Sequence, residues 1–221
     1  VRIILFINPT VMKKSSIACV AIAIVLASCS ANTKKVKVFM NGGGKVDEAT
    51  KTITPSEGSG TEDKDLTFES KDKVMLQIKG SKPASVDLAN NGYYFLNATN
   101  DTIIGSYVVY NAPRETADTT TITLERIQKS IDSLKLLVEG KNISEANKNF
   151  YVLPYSAVKV TPNSNAIIIA PFHQITTLEK DGDKTPEVYR FYSISQIREK
   201  IEKQILLTKP KTASSSTEEK K

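Results

Sequence analysis

The sequence predicts an α+β domain over about residues 66–208: an antiparallel β-meander, continued by further short strands, with two amphipathic helices. Three observations carry that reading. Between residues 66 and 110, short runs rich in β-branched and aromatic residues alternate apolar with polar positions and are separated by turn signals. Apolar residues then recur at intervals of three and four over about 122–139 and again over about 194–207, the spacing of one helix face. A domain of this size buries roughly 70% of its unfolded surface, so its core needs no cross-link.

Taken in order, Val36-Lys37-Val38-Phe39-Met40 reads as a strand, and Asn41-Gly42-Gly43-Gly44-Lys45 as a bend. A phosphate-binding loop is not met there, because Val46 stands where a hydroxyl is required. From Lys45 to Asp65 the composition is polar, with Pro55 and Gly58-Ser59-Gly60. Such a stretch has too little apolar surface to offset its ordering entropy, so 29–65 is expected to be a tether and flexible linker. The meander follows. Val74, Leu76 and Ile78 alternate with polar or flexible residues, Lys82-Pro83 breaks the run, and Val86 and Leu88 lead to Asn90-Asn91-Gly92. Asn-Gly is a strong hairpin signal, because both positions tolerate positive φ. Tyr93-Tyr94-Phe95-Leu96 is the expected returning strand, and Asn100-Asp101 turns the chain into a strand over 102–110. The polar stretch 111–121 is a candidate division into two subdomains.

Leu124, Ile127, Ile131, Leu134 and Val138 fall on one face of the first helix, which Gly140 terminates. A lone helix of this length is marginal in water, so the stripe must pack on the sheet or on a partner. Strands are expected at 150–153, 157–160 and 166–170, with Ile167-Ile168-Ile169 apolar on both faces and therefore central in its sheet. Asp181-Gly182-Asp183-Lys184 reads as a hairpin turn, without the further oxygen ligands of a calcium loop. Ser193 with Gln196 forms a capping box for the second helix, whose buried face is Ile194, Ile197, Ile201 and Ile205. Residues 209–221 form a polar tail expected to be disordered.

The most specific motif precedes the domain. Lys13 and Lys14 follow Met12, residues 17–26 are an apolar run, and Leu26-Ala27-Ser28-Cys29 places small residues before a cysteine. The apolar run is too short to span a bilayer, which takes ~20 residues. This segment resembles a bacterial lipoprotein signal peptide with its lipobox. The resemblance implies a signal over 12–28, cleavage after Leu26-Ala27-Ser28, and acylation of Cys29 as the first mature residue. It implies anchoring by three acyl chains, where two already hold a protein stably. It also leaves 1–11 as upstream sequence outside the native protein. By the sorting rule of enteric lipoproteins, Ser30 in place of aspartate directs the protein to the outer membrane. The lack of acidic residues from Ser30 to Lys35 places it on the periplasmic face.

Composition then narrows the chemistry. Of 30 basic and 24 acidic side chains, Arg2, Lys13 and Lys14 lie within 1–28 and no acid does, so half of the formal excess of six belongs to the signal. The remaining lysines are scattered without an arginine cluster, which argues against a nucleic-acid partner. The chain has two cysteines, Cys19 inside the signal and Cys29 at the anchor, so no thiol is left for a disulfide or a metal site. With a single histidine, His173, histidine-pair metal motifs are excluded, and no cofactor is expected.

These features point to a membrane-anchored envelope lipoprotein serving as a non-catalytic binding or structural module, with the membrane and an envelope protein or glycan as partners. No catalytic residue is nominated. Two alternatives stay open: a hydrolase using carboxylates or a Ser/His pair around His173, and a subunit docking through the Leu124–Val138 stripe. Tyr93 and Tyr94 are the candidate ligand platform, since adjacent strand residues project to opposite faces. Asp118-Thr119-Thr120 resembles the Asp-Ser/Thr-apolar acceptor of bacterial O-glycosylation, with Thr119 the candidate; Thr102 and Ser133 match the same pattern inside expected elements.

Overall fold

The computed structural model describes residues 32–80, 82–109, 123–144, 146–174 and 186–208. The signal segment with Cys29, Thr119, the 111–121 division, the turn at 181–184 and the 209–221 tail lie outside the described residues. The strands of the first half are β1 (Thr33–Asn41), β2 (Lys45–Asp47), β3 (Thr52–Thr54), β4 (Thr61–Glu69), β5 (Val74–Ile78), β6 (Ala84–Leu88), β7 (Gly92–Asn97) and β8 (Ile103–Val108). Then come α1 (Leu124–Val138), β9 (Asn149–Val152), β10 (Ser156–Thr161), β11 (Ile167–Ile169), β12 (Val188–Ser193) and α2 (Ile194–Thr208). Among the described residues, no helix is long and apolar enough to cross a membrane.

The strands form three four-stranded sheets. The central sheet has the order β10-β7-β1-β4, an outer sheet β2-β3-β5-β6, and a third, helix-backed sheet β11-β12-β8-β9. One face of the central sheet, with Val36, Val38, Leu66, Tyr94 and Leu96, packs on Ile53, Leu76, Ile78 and Leu88 of the outer sheet. Its other face, with Phe39, Tyr93, Phe95 and Val160, packs on Ile103, Phe150, Tyr189 and Phe191 of the helix-backed sheet. The far face of that third sheet, with Ile104, lies against Ile127, Ile131 and Leu137 of α1 and Ile197 and Ile201 of α2. The result is a four-layer β/β/β/α stack. Every residue of β7 is buried, as expected of a strand covered on both faces.

The α+β class holds, but the antiparallel meander is corrected. Each sheet contains one parallel pair: β1 with β7, β3 with β5, and β11 with β12. β5 and β6 do form an antiparallel pair, but β6 and β7 belong to different sheets, so Asn90-Asn91-Gly92 is a crossover and not a hairpin. Gly92 has φ 135°, and a Cβ there would collide with the Thr161 carbonyl, so the glycine serves the close approach of β10. The linker expectation for 29–65 is also corrected. β1 pairs with β4 over its full length, and β2 and β3 join the outer sheet with Ile53 fully buried. Polar composition misled here because these strands lie at or near sheet edges, where backbone pairing plus one or two apolar anchors suffices. Gly42 and Gly58 add a close backbone contact: a Cβ at either would strike the main chain of the other loop.

Strands from both sides of 111–121 interleave, since β10 enters the central sheet and β8 the helix-backed sheet. Ile167–Ile169 lies at a sheet edge, although Ile168 and Ile169 are buried. Its pairing with β12 is parallel, so the connection between them is not a two-residue hairpin.

The C-terminus of α1 and the N-terminus of α2 follow the sequence signals, and the structure adds an N-cap to α1. Thr123 caps α1 by accepting from the Arg126 N–H at 3.3 Å. Gly140, at φ 70°, donates to the Leu137 carbonyl while Lys141 donates to Leu136, a Schellman ending. At α2, Ser193 Oγ accepts from the Gln196 N–H at 3.2 Å, and Gln196 Oε1 accepts from the Ser193 N–H at 3.1 Å. The α1 stripe is covered within the chain: Ile127 and Ile131 are buried, Leu134 and Val138 half-buried, and Leu137 is added. Leu124 departs from it and is exposed. The face proposed for docking is therefore largely occupied by α2 and the sheet.

Candidate functional site

Tyr93 and Tyr94 do project to opposite faces of β7, but neither face is open. Both rings are buried, at 2% and 5% exposure, because the central sheet has a sheet on each side. The stacking-platform expectation is corrected on that ground. Tyr94 Oη donates to the Asn90 carbonyl at 2.7 Å, and Tyr93 Oη donates to Asp65 Oδ1 at 2.6 Å.

That second bond begins a chain of polar contacts across the sandwich edge. Register places Lys37 of β1 opposite Asp65 of β4, with Asp63 two residues along on the same face. Lys37 Nζ donates to Asp65 Oδ2 at 2.8 Å and to Asp63 Oδ2 at 2.9 Å. Asp63 Oδ1 in turn lies 3.2 Å from His173 Nε2, just beyond β11. Burial alone would lower the Lys37 ammonium, but the bonds and charges of Asp65 and Asp63 outweigh it and hold it above its ordinary value. Burial, and then the Asp65 carboxylate, push the Tyr93 phenol well above its usual range. His173 Nδ1 lies 3.1 Å from the Pro171 carbonyl, so both ring nitrogens face oxygen acceptors. Neither nitrogen is aimed at a serine hydroxyl. Lys37 sits between the two carboxylates, and among the described residues no group of three or more His, Cys, Asp or Glu is placed to hold a metal ion. The arrangement latches β1, β4 and β7 together within the central sheet and reaches the segment beyond β11 through the Asp63–His173 contact.

A second constellation sits where two sheets present free edges. The chain leaves β9, the edge of the helix-backed sheet, turns at Pro154-Tyr155, and enters β10, the edge of the central sheet. A cleft of about 480 Å³ lies where these strands meet β12, lined by Lys148, Phe150, Lys159, Val160, Thr161, Pro162, Asn163, Glu187 and Tyr189. A neighbouring cleft of about 310 Å³ shares Phe150 and Lys159 with it. Glu187 anchors the wall. It accepts from Tyr189 Oη at 2.5 Å, Thr161 Oγ1 at 3.1 Å and Asn163 Nδ2 at 3.1 Å, with Lys148 Nζ at 3.6 Å. Burial raises this carboxyl, but those three donors and the Lys148 charge carry it below its ordinary value, so it is ionised at neutral pH. Burial and the Glu187 carboxylate push the Tyr189 phenol well up.

Lys148 adopts φ 50°, the left-handed region that a residue with a Cβ seldom occupies. Its carbonyl accepts from the Tyr107 N–H at 3.1 Å, and its ammonium lies 4.2 Å above the Tyr107 ring. The floor is aromatic, with Phe150 and Tyr189 edge-to-face at 5.8 Å. A third cleft, of about 500 Å³, is lined by Asn41, Ser56, Glu57, Lys82, Asn100 and Tyr155 among others, but Glu57, Lys82 and Asn100 are exposed and no such apolar floor underlies it.

No protein-family description, curated protein or solved structure matches this chain. The functional reading therefore rests on the chain's own chemistry. Sequence reasoning did not find the β9–β10 cleft. Glu187 and Tyr189, two apart on or beside a strand, share a face by alternation, but nothing in the sequence brings Thr161, Asn163 and Lys148 to them.

Proposed function

We propose that this protein is a cell-envelope lipoprotein, anchored by lipid on Cys29, whose domain is a non-catalytic binding module that holds its ligand in the β9–β10 cleft. The membrane is the outer one and the domain faces the periplasm. The anchor is supported by Leu26-Ala27-Ser28-Cys29 behind the apolar run of 17–26. β1 begins at Thr33, four residues beyond Cys29, and four extended residues reach about 14 Å. The domain thus rides close to the lipid surface and not at the end of a long linker.

The observation that carries binding over catalysis is the state of Glu187. Among the described residues it is the cleft's one carboxylate, it is ionised, and three donors already hold it, so it braces the wall and is not poised to exchange a proton. Fractionation of cells expressing the chain and its Cys29→Ala variant tests the anchor. The variant should move from the membrane fraction to the soluble fraction; retention in the membrane fraction refutes the lipoprotein reading.

A further inference from the structure

The β9–β10 cleft has a property that its role as a generic pocket does not explain. Four described lysines are buried or half-buried: Lys34, Lys35, Lys37 and Lys159. Lys34 Nζ donates to the Ser70 carbonyl at 2.6 Å, Lys35 Nζ lies 4.7 Å over the Tyr93 ring, and Lys37 is clamped by two aspartates. The Lys159 ammonium has no hydrogen bond, ion pair or ring contact among the described residues, although its stem lies against Gly92, where a Cβ would come within 2.8 Å of Lys159 Cε. With its stem packed against the sheet and no protein acceptor on its ammonium, Lys159 can offer its donors to an anion in the cleft.

The charges around it agree. Among the described residues, Lys148 and Lys159 face a single carboxylate, Glu187, whose oxygens are committed to Tyr189, Thr161 and Asn163. That leaves the cleft with one net positive charge above an apolar floor of Phe150, Val160 and Pro162. Lys148 stands over the Tyr107 ring and 3.6 Å from Glu187, beyond good hydrogen-bond length, so that ion pair leaves its donors open to a second anion. An added peptide strand is disfavoured. β10 carries a bulge between Lys159 and Thr161, and Pro162, which follows, has no N–H to offer. A volume of about 480 Å³ fits a small organic molecule.

We infer that the cleft takes a small molecule bearing one carboxylate or phosphate on an apolar body, with Lys159 as the residue that receives the anion and Lys148 as the second cation. The inference rests on the binding-module reading and narrows it to a ligand class.

The test is titration of the purified full chain with phenylacetate, phenyl phosphate and the neutral benzyl alcohol, followed by calorimetry and by the amide resonances of Thr161 and Asn163. Both anions should bind more tightly than benzyl alcohol and shift those resonances. Lys159→Met, which keeps the stem and removes the charge, should weaken the anions by about tenfold or more, as loss of a charge-assisted bond does. Benzyl alcohol should be unaffected by that substitution. Lys148→Met should weaken the anions less, and melting curves of both variants check that they are folded. Equal binding of anions and benzyl alcohol, or an unchanged anion affinity in Lys159→Met, overturns the inference while leaving the cleft a binding site. Resonances unmoved by all three probes overturn both it and the cleft as the ligand site.

Discussion

Replacing Lys37 with methionine should cost the fold about 2–3 kcal/mol. Methionine keeps most of the stem's apolar contacts, so the change isolates the ammonium. The Lys37 side chain is only 12% exposed, and its ammonium donates to Asp63 at 2.9 Å and Asp65 at 2.8 Å. A hydrogen bond to a charged group contributes roughly 1.5–3 kcal/mol when shielded from water. Asp63 is 19% exposed and keeps most of that value. Asp65 is 43% exposed, and solvent screening reduces its share to ~0.5–1 kcal/mol. In a domain of this size the sum corresponds to a melting temperature lower by about 5–10 °C. Urea denaturation of both proteins, with the slope unchanged, measures it directly. The decisive control is a cycle with Asp63→Asn, which should cost less in the Lys37→Met background than in the unaltered chain. Additive losses, or a loss under about 1 kcal/mol, refute the latch.

The same groups set the alkaline limit of the fold. Lys37, Tyr93 and Tyr189 all bind their protons more tightly folded than unfolded, so their contribution is complete below the ordinary values of 10.5 and 10.0. It is lost as pH rises from there toward the folded values, at about 1.4 kcal/mol per pH unit for each group. Denaturation midpoints at pH 9 and 11 should show that fall, reduced in Tyr93→Phe; a flat profile contradicts it. Gly105→Ala should destabilise by about 1–3 kcal/mol, because the added methyl runs into the Phe191 ring, which stacks on Phe95 at 4.0 Å. A chain beginning at residue 66 lacks β1, which pairs with both β4 and β7, and should show no cooperative unfolding transition; a sharp one would contradict the sheet order.

Local signals in this sequence were legible and long-range ones were not. Gly140 and the Ser193–Gln196 box mark helix ends because each acts through bonds within a few residues. Val74–Ile78 was readable for the same reason: its alternation is a local record of one buried face. Asn90-Asn91-Gly92 carries the same local chemistry as a hairpin, yet the chain passes from the outer sheet to the central one there. What decides is the partner of β7, which is β1, 58 residues earlier. β4 shows the converse. Thr61-Glu62-Asp63-Lys64-Asp65 looks like linker because its partner Lys37 is remote, and only the register between β1 and β4 converts those acids from solvated charge into a clamp.

The cleft was hidden by the same physics carried further. Val158-Lys159-Val160-Thr161 alternates as any half-buried strand does, and alternation assigns Lys159 to water. Two non-local facts reverse that assignment. The bulge in the pairing of β10 with β7 inserts Val160 and re-aims its neighbours, and the turn at Pro154-Tyr155 brings the edge of another sheet alongside. Glu187 reaches the same place from a third segment, and Lys148 stands at the head of β9, held by a left-handed backbone that no propensity would assign to lysine. A cleft assembled from three segments across two sheet edges leaves no spacing motif, because the residues owe their meeting to strand order and not to their separation along the chain.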